Sequence, residues 1–261
     1  AMFSTGQPQE EKPVQQPVIE KLTDAATIMV VEDEPMNMLL ISEVLGKMGF
    51  DVIKANNGKQ ALEILPLHDP VIIFMDVNMP EMDGFGLSKK LKSDEKTSHI
   101  PLVLLTSKAG MDNKLEGLET GADDYLAKPF NARELLVRIK NLIATRQKLQ
   151  QKYSSTGDVS IFPDKENAFI TKLKAAIEEN IDKEEFGMDE LGKTLAMSRT
   201  QVHRKLKALT NLSTSQFIRH YKLTRALELL KTKEYNVSEV AYMLGFNTPN
   251  YFSSCFTEQF G

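Results

Sequence analysis

"VIIFMDVNMPEMDGFG", residues 71–86, decides how the rest of the chain is read. Five apolar residues run straight into Asp76, and Asn78, Met79-Pro80 and Asp83-Gly84 follow at once. A short apolar run closed by turn residues predicts a strand buried on both faces. A carboxylate at its tip loses hydration, which makes the charge expensive unless a partner meets it there. Asp76 is therefore a candidate for chemistry.

Working outward, apolar runs recur at "TIMVV" (27–31), "DVIKA" (51–55), "PLVLL" (101–105) and "DYLAK" (124–128). Helical spacings lie between them, first at Leu39, Leu40, Val44, Leu45 and Met48, then at Ala61, Leu62 and Leu65. Strand and helix in alternation predict an α/β, doubly wound, five-stranded parallel sheet with helices on both faces. Such sheets collect functional groups at the carboxyl ends of their strands, where Asp76 stands. The preceding residues 1–24 are polar and proline-rich, which predicts a disordered leader or linker.

At 261 residues the chain has room for two domains. Its 41% hydrophobic and 26% charged residues suit a globular protein, and no apolar run is long enough for a membrane span. A single cysteine, Cys255, rules out a disulfide framework and makes a cytoplasmic location the expectation. The net charge of −4 is unevenly spread: residues 191–261 hold 10 Lys/Arg against 4 Asp/Glu. A basic end suggests a polyanion as partner, although a solvated basic face is the commoner origin of such a run.

Glu32 and Asp33 close the first strand in "VVEDEP" (30–35), Thr106 closes the fourth, and Lys128 follows the fifth before Pro129. Two acids, Asp76 and one backbone carbonyl make a hard oxygen site of the kind Mg²⁺ prefers. A cation there offsets the repulsion among three carboxylates and leaves Asp76 available as a nucleophile. A phosphoryl group arriving on Asp76 needs its oxygens neutralised, work for the metal, the Lys128 ammonium and the Thr106 hydroxyl.

"VVEDEPMN", "FMDVNMPEMDGFG", "LLTSKA" and "GADDYLAKPF", with intervals of 43, 30 and 22 residues from Asp33 to Asp76, Thr106 and Lys128, resemble the flavodoxin-like receiver domain of two-component response regulators. The resemblance covers residues 25–150. It implies that Asp76 accepts phosphate from a histidine kinase, that Glu32, Asp33, Asp76 and the Asn78 carbonyl hold Mg²⁺, and that Thr106 and Lys128 bind the phosphoryl group. It further implies Tyr125 as an aromatic switch and a cis Lys128–Pro129 bond. Ser107, where the family has a smaller residue, and Glu32, where Asp is commoner, are mild departures. An aspartyl-phosphate phosphatase is the rival enzyme reading; such enzymes want a second acid two residues after the nucleophile, where this chain has Asn78.

Leu135, Ile139, Leu142, Arg146, Leu149 and Tyr153 are spaced 4-3-4-3-4, a heptad seam with one Arg in it. It fits either a dimer contact or a helix that packs on the sheet and frays at its end. "SSTGDVSIFPD" reads as linker by composition, and residues 151–166 are set aside as such. Everything beyond is helical in pattern. In "MDELGKTLAMSRTQVHRKLKALT" (188–210) Ser198 is a good N-cap, and Val202, Leu206 and Leu209 must face inward. Arg199, Thr200, His203, Arg204 and Lys207 then share the outer face of a helix-turn-helix, suited to a major groove. A long helix from Ser215 to about Lys231 leads to a second unit. There Asn236 and Glu239 make a capping box, and Thr248-Pro249 begins a helix with Phe252, Phe256 and Phe260 expected in the core.

Residues 167–261, above all "SEVAYMLGFNTPNYFSSCFTEQFG", resemble the AraC-type DNA-binding domain, an all-α fold with two helix-turn-helix motifs. The resemblance implies DNA contacts at Arg199, Thr200, His203, Arg204 and Lys207, and at Asn250, Ser253 and Ser254. Ser254 falls where many members carry Arg, and the family's domain usually continues one short helix beyond the equivalent of Gly261. Together the two halves predict a phosphorylation-controlled transcription regulator that binds double-stranded DNA, pairs as a homodimer on activation, and accepts phosphate without turning over an external substrate. The same domain order also resembles the cytoplasmic end of hybrid two-component sensors. A helical protein-interaction scaffold remains the rival of another class.

Overall fold

The computed structural model describes residues 26–107, 121–183 and 186–261. The leader expected over residues 1–24, and Lys108 and Ala109 of the fourth-strand motif, lie outside the described residues. Strands β1 (Thr27–Val31), β2 (Asp51–Ala55), β3 (Ile72–Asp76), β4 (Leu102–Thr106) and β5 (Asp124–Ala127) pair in parallel in the order β2-β1-β3-β4-β5. The chain steps outward from β1 to β2 and then crosses back to β3, so the order reverses between β1 and β3. At that switch point adjacent connections leave on opposite faces and open a crevice at the carboxyl ends.

Successive residues of each strand point to opposite faces. Ile28, Val30, Ile72, Phe74, Val103 and Leu105 bury one face against α1 (Pro35–Lys47) and the first half of α4 (Ala132–Thr156). Met29, Val31, Ile73, Met75, Leu102 and Leu104 bury the other against α2 (Gly58–Ile64) and α3 (Gly84–Ser93). The phase of α1 differs from the expected one: Met38, Ile41 and Leu45 face the sheet, while Leu39 and Leu40 are more than half exposed. A dense run of apolar residues lets two helical stripes fit the sequence, and the sheet selects one.

Helix α4 runs without interruption through Thr156 and closes on Gly157 in the left-handed conformation. Its seam is used within the chain. Leu135 and Ile139 lie in the sheet core, whereas Leu149 and Tyr153 pack with Phe162, Phe169 and Phe217 in the helical half. The stretch expected as linker is thus helical to Thr156, and its Tyr153 and Phe162 are core residues.

The helical half comprises α5 (Asp164–Glu178), α6 (Met188–Thr194), α7 (Arg199–Thr210), α8 (Thr214–Thr232), α9 (Val237–Met243) and α10 (Pro249–Phe260). Helix α8 serves two cores, with Phe217 and Ile218 in the first and Leu223 and Ala226 in the second. Ser198, Asn236 and Thr248 cap α7, α9 and α10 as expected. Phe252 is buried and Phe256 half-buried, but Phe260 is 40% exposed, against expectation. Each four-residue step on a helix turns the side chain about 40° further round, so the third phenylalanine has rotated off the core face and, among the described aromatics, meets the ring of Phe256. Among the described residues no helix is long and apolar enough to cross a membrane.

Candidate functional site

Glu32 extends β1 by one residue and lies beside the tip of β3, because Val31 pairs with Met75. Asp76 pairs with Leu105, and Thr106 with Ala127, so the four strand ends finish level with one another. Glu32 is almost wholly buried and Asp76 is 8% exposed, whereas Asp33 is open to solvent. Carboxylate oxygens of Glu32, Asp33 and Asp76 lie within 4.8 Å of one another. Uncompensated, three anions this close would repel strongly.

Lys128 supplies a counter-charge. Its Nζ lies 2.6 Å from Oε2 of Glu32 and 3.0 Å from Oδ2 of Asp76. The backbone of Lys128 is tied down by its N–H, which donates to the Thr106 carbonyl at 2.6 Å, and its bond to Pro129 is cis. Glu32 also accepts from Asn37 Nδ2 at 3.1 Å. Asn37 was not singled out from the sequence; the signal available was a lone polar residue in the first turn of the helix after the Glu32-Asp33 pair. Asn78 is exposed, and its Nδ2 reaches Ser107 Oγ at 3.5 Å, drawing together the loops after β3 and β4. Thr106 is buried at the tip of β4, and Tyr125 packs half-buried on the α3 side of the sheet. All the residues expected at the acidic site therefore sit at one end of one sheet, with Tyr125 one strand away and pointing to a side face.

The expected DNA-facing residues divide. In α10, Asn250, Ser253 and Ser254 are exposed. In α7, Arg199, Thr200 and Lys207 are exposed, and Arg199 pairs with Asp189 of α6. Gly192 allows this close packing, since a Cβ there would stand 2.9 Å from the Met197 carbonyl. His203 and Arg204 are half-buried. Arg204 faces the sheet domain: its Nη1 donates to the carbonyls of Pro66 at 3.1 Å and His68 at 2.8 Å. The carbonyl of Ala208, one turn on, accepts from Arg146 Nε and Gln150 Nε2 of α4, each at 2.8 Å.

Next to Arg204, Lys205 is fully buried. Its Nζ donates to the Glu95 carbonyl and to Ser98 Oγ (3.2 Å), lies 3.8 Å from Glu166, and stands 4.9 Å over the Phe169 ring. Ser98 in turn donates to Glu166 Oε1 at 2.6 Å. Burial pulls the Lys205 ammonium below its usual range, while Glu166 and Glu95 pull the other way. Sequence periodicity had placed this lysine on no face of interest.

The family description of a response regulator receiver domain matches residues 28–140, and that of a helix-turn-helix domain matches residues 191–261. Histidine kinase P4 of Formosa agariphila is 38% identical over 255 residues, which is 96% of this chain and 18% of that protein. The phosphate regulon transcriptional regulatory protein PhoB of Pseudomonas aeruginosa is 40% identical over 117 residues, 45% of this chain and 51% of that protein. The chain thus spans under a fifth of the length of the first and its match about half of the second. The receiver domain of the sensor histidine kinase PA1611 from Pseudomonas aeruginosa, solved with a magnesium ion in its active-site cleft, is 30% identical. It covers 46% of this chain and 98% of its own length at a TM-score of 0.44.

Proposed function

Because the chain joins a response regulator receiver domain to an AraC-type helix-turn-helix domain, we propose that it is a transcription regulator controlled by phosphorylation of Asp76. The observation that carries the reading is the cluster itself: three carboxylates within 4.8 Å with an ammonium 3.0 Å from Asp76. An oxygen of Asp76 forms the new O–P bond while the P–N bond of a phosphorylated histidine on the kinase breaks, its electron pair returning to the imidazole. Lys128 Nζ, already beside Asp76, neutralises the phosphoryl oxygens, and the Thr106 hydroxyl donates to one of them. Once the group has moved, Thr106 is drawn toward it and Tyr125 repacks.

A hard divalent cation fits the oxygen donors of Glu32, Asp33 and Asp76, with the Asn78 carbonyl as a further ligand. When bound, Mg²⁺ would neutralise charge on the transferring group. The chain itself accepts one phosphoryl group, hydrolyses it slowly, and has no kinase function.

The output is DNA binding by α7 and α10, from a cytoplasmic location, with Arg199, Thr200, His203, Arg204 and Lys207 of the first unit and Asn250, Ser253 and Ser254 of the second. The receiver spans residues 25–150 and the DNA-binding part residues 167–261, with Tyr153 and Phe162 of the intervening stretch built into the latter's core. Pairing of two phosphorylated chains raises DNA affinity by effective concentration. Since the α4 seam is occupied within the chain, pairing falls to the outer face of α4, where Val137 is 48% exposed.

Acetyl phosphate with Mg²⁺ should load one phosphoryl group per chain by mass spectrometry, and loading should raise both dimer fraction and DNA affinity. If treated wild type and Asp76→Asn behave alike in all three assays, the reading fails. A second reading makes the chain the regulator end of a longer kinase polypeptide. What favours it is the similarity of 96% of this chain to a piece of Histidine kinase P4. Phosphotransfer from a kinase on the same polypeptide would be independent of protein concentration, and transfer between separate proteins would not.

A further inference from the structure

One flank of α7, made by Gln201, Arg204, Lys205 and Ala208, repeats at helical spacing and is turned toward the receiver and α4. With side chains an α-helix is roughly 10–12 Å across, and the major groove of B-DNA is about 12 Å wide. A helix inserted there is hugged on both flanks by the sugar–phosphate walls. Nothing else fits within hydrogen-bonding distance of its sides. Yet Arg204 donates to backbone carbonyls of the loop before β3, and Lys205 to the loop before β4.

We propose that the receiver and DNA compete for this flank of α7, with the buried set Lys205, Ser98 and Glu166 latching the helix against the receiver. The inference deepens the DNA-binding reading above and rests on it. The latch is built across the two domains, since Ser98 and the Glu95 carbonyl come from the receiver, and Lys205 and Glu166 from the helical half. Two of the acceptors around the Lys205 ammonium, the Glu95 carbonyl and Ser98 Oγ, belong to the receiver, so parting the domains exchanges them for water. Asn250, Ser253 and Ser254 of the second unit stay exposed throughout. The closed form therefore offers DNA one helix of two, and the second groove is engaged only after the latch opens. Linkage then requires that DNA open the latch as surely as an open latch favours DNA.

The test uses the full chain and a mixed-sequence duplex of about three turns, roughly 30 bp, at low salt. Ser98→Arg sets a second cation against Lys205, at a position remote from Asp76 and outside the DNA-facing residues. It should bind the duplex about tenfold more tightly than wild type without any phosphoryl donor, while still loading phosphate on Asp76. In the wild type, amide hydrogen exchange over residues 94–101 should rise on adding DNA, the reverse of ordinary protection by a ligand. Equal affinities, with exchange at 94–101 unchanged by DNA, would overturn the latch and leave DNA binding intact. No binding by either protein would overturn both readings. Should Ser98→Arg fail to fold, the wild-type exchange measurement decides alone.

Discussion

Gly84 begins α3 directly beneath Asp76, and a Cβ there would run into the Asp76 carbonyl oxygen. Backbone cannot yield as a flexible side chain can, so Gly84→Ala should lose about 3 kcal/mol in urea denaturation, with phosphate loading impaired in the surviving fraction. Lys128 tests the charge balance of the same site. Its ammonium is a cation partner to Glu32, whose side chain is fully buried. Lys128→Met keeps the bulk and removes the charge, and should slow acetyl phosphate loading roughly a hundredfold. Added Mg²⁺ should raise its melting temperature more than it raises that of the wild type, because the metal replaces a missing cation. Equal shifts would show that Lys128 and the metal do not share the carboxylates. At this scale the sequence was informative: Glu32, Asp76, Thr106 and Lys128 each end or follow an apolar strand, and a parallel sheet brings such ends together. Lys205 was not legible, because what a polar side chain meets across a domain contact leaves no periodic trace in its own segment; Asn37, which meets Glu32 within the receiver, was marked only by its place in the first turn of α1.

At the scale of elements, α4 binds the two halves. Its 25 residues carry receiver core at one end and helical-domain core at the other, with Arg146 between. Burial pulls the Arg146 guanidinium below its usual range, and Asp69 opposes the shift. The heptad spacing gave the inward stripe in the right phase and left its partner open, since 3.5-residue periodicity looks the same against a second chain, a sheet or a second domain. Similarly, α1 offered two apolar stripes and only the sheet chose Met38, Ile41 and Leu45. Ala144 is exposed midway along α4. Ala144→Pro should break the helix there at a cost of about 3 kcal/mol. Phosphate should still load on Asp76, while DNA affinity stops responding to it. A response of unchanged size would mean that the signal does not pass along this helix.

For the whole molecule, the α/β and all-α division was readable from alternating and then purely helical patterns, but the docking of the halves was not. Docking depends on surface polar groups such as Arg204 whose role in solvent, on DNA or against a neighbour calls for the same residue type. It also leaves a pH signature at His99, which lies in the contact region. Burial, with Arg146, Lys205 and Lys92 nearby, holds its imidazole well below the usual histidine range. The folded form therefore stays neutral where the unfolded form begins to take a proton. Stability is complete above about pH 6.5 and falls as the pH drops below it, by at most about 1.4 kcal/mol per pH unit for one group. Urea midpoints at pH 7.5 and 5.5 should differ accordingly, and His99→Gln should flatten the dependence; a variant as steep as wild type would assign the titration elsewhere.

The unbroken course of α4 also sets the mechanics. At about 1.5 Å per residue it is a rod of roughly 37 Å, rooted just past Lys128 and Pro129 and gripping the Ala208 carbonyl from Arg146 and Gln150, roughly 21 and 27 Å from that root. A pivot of roughly 10° at the root sweeps the helix through about 4–5 Å at those two residues, far more than a hydrogen bond can stretch. A tilt of that size at the Asp76 end would be geared up into a stroke large enough to strip two donors from one carbonyl.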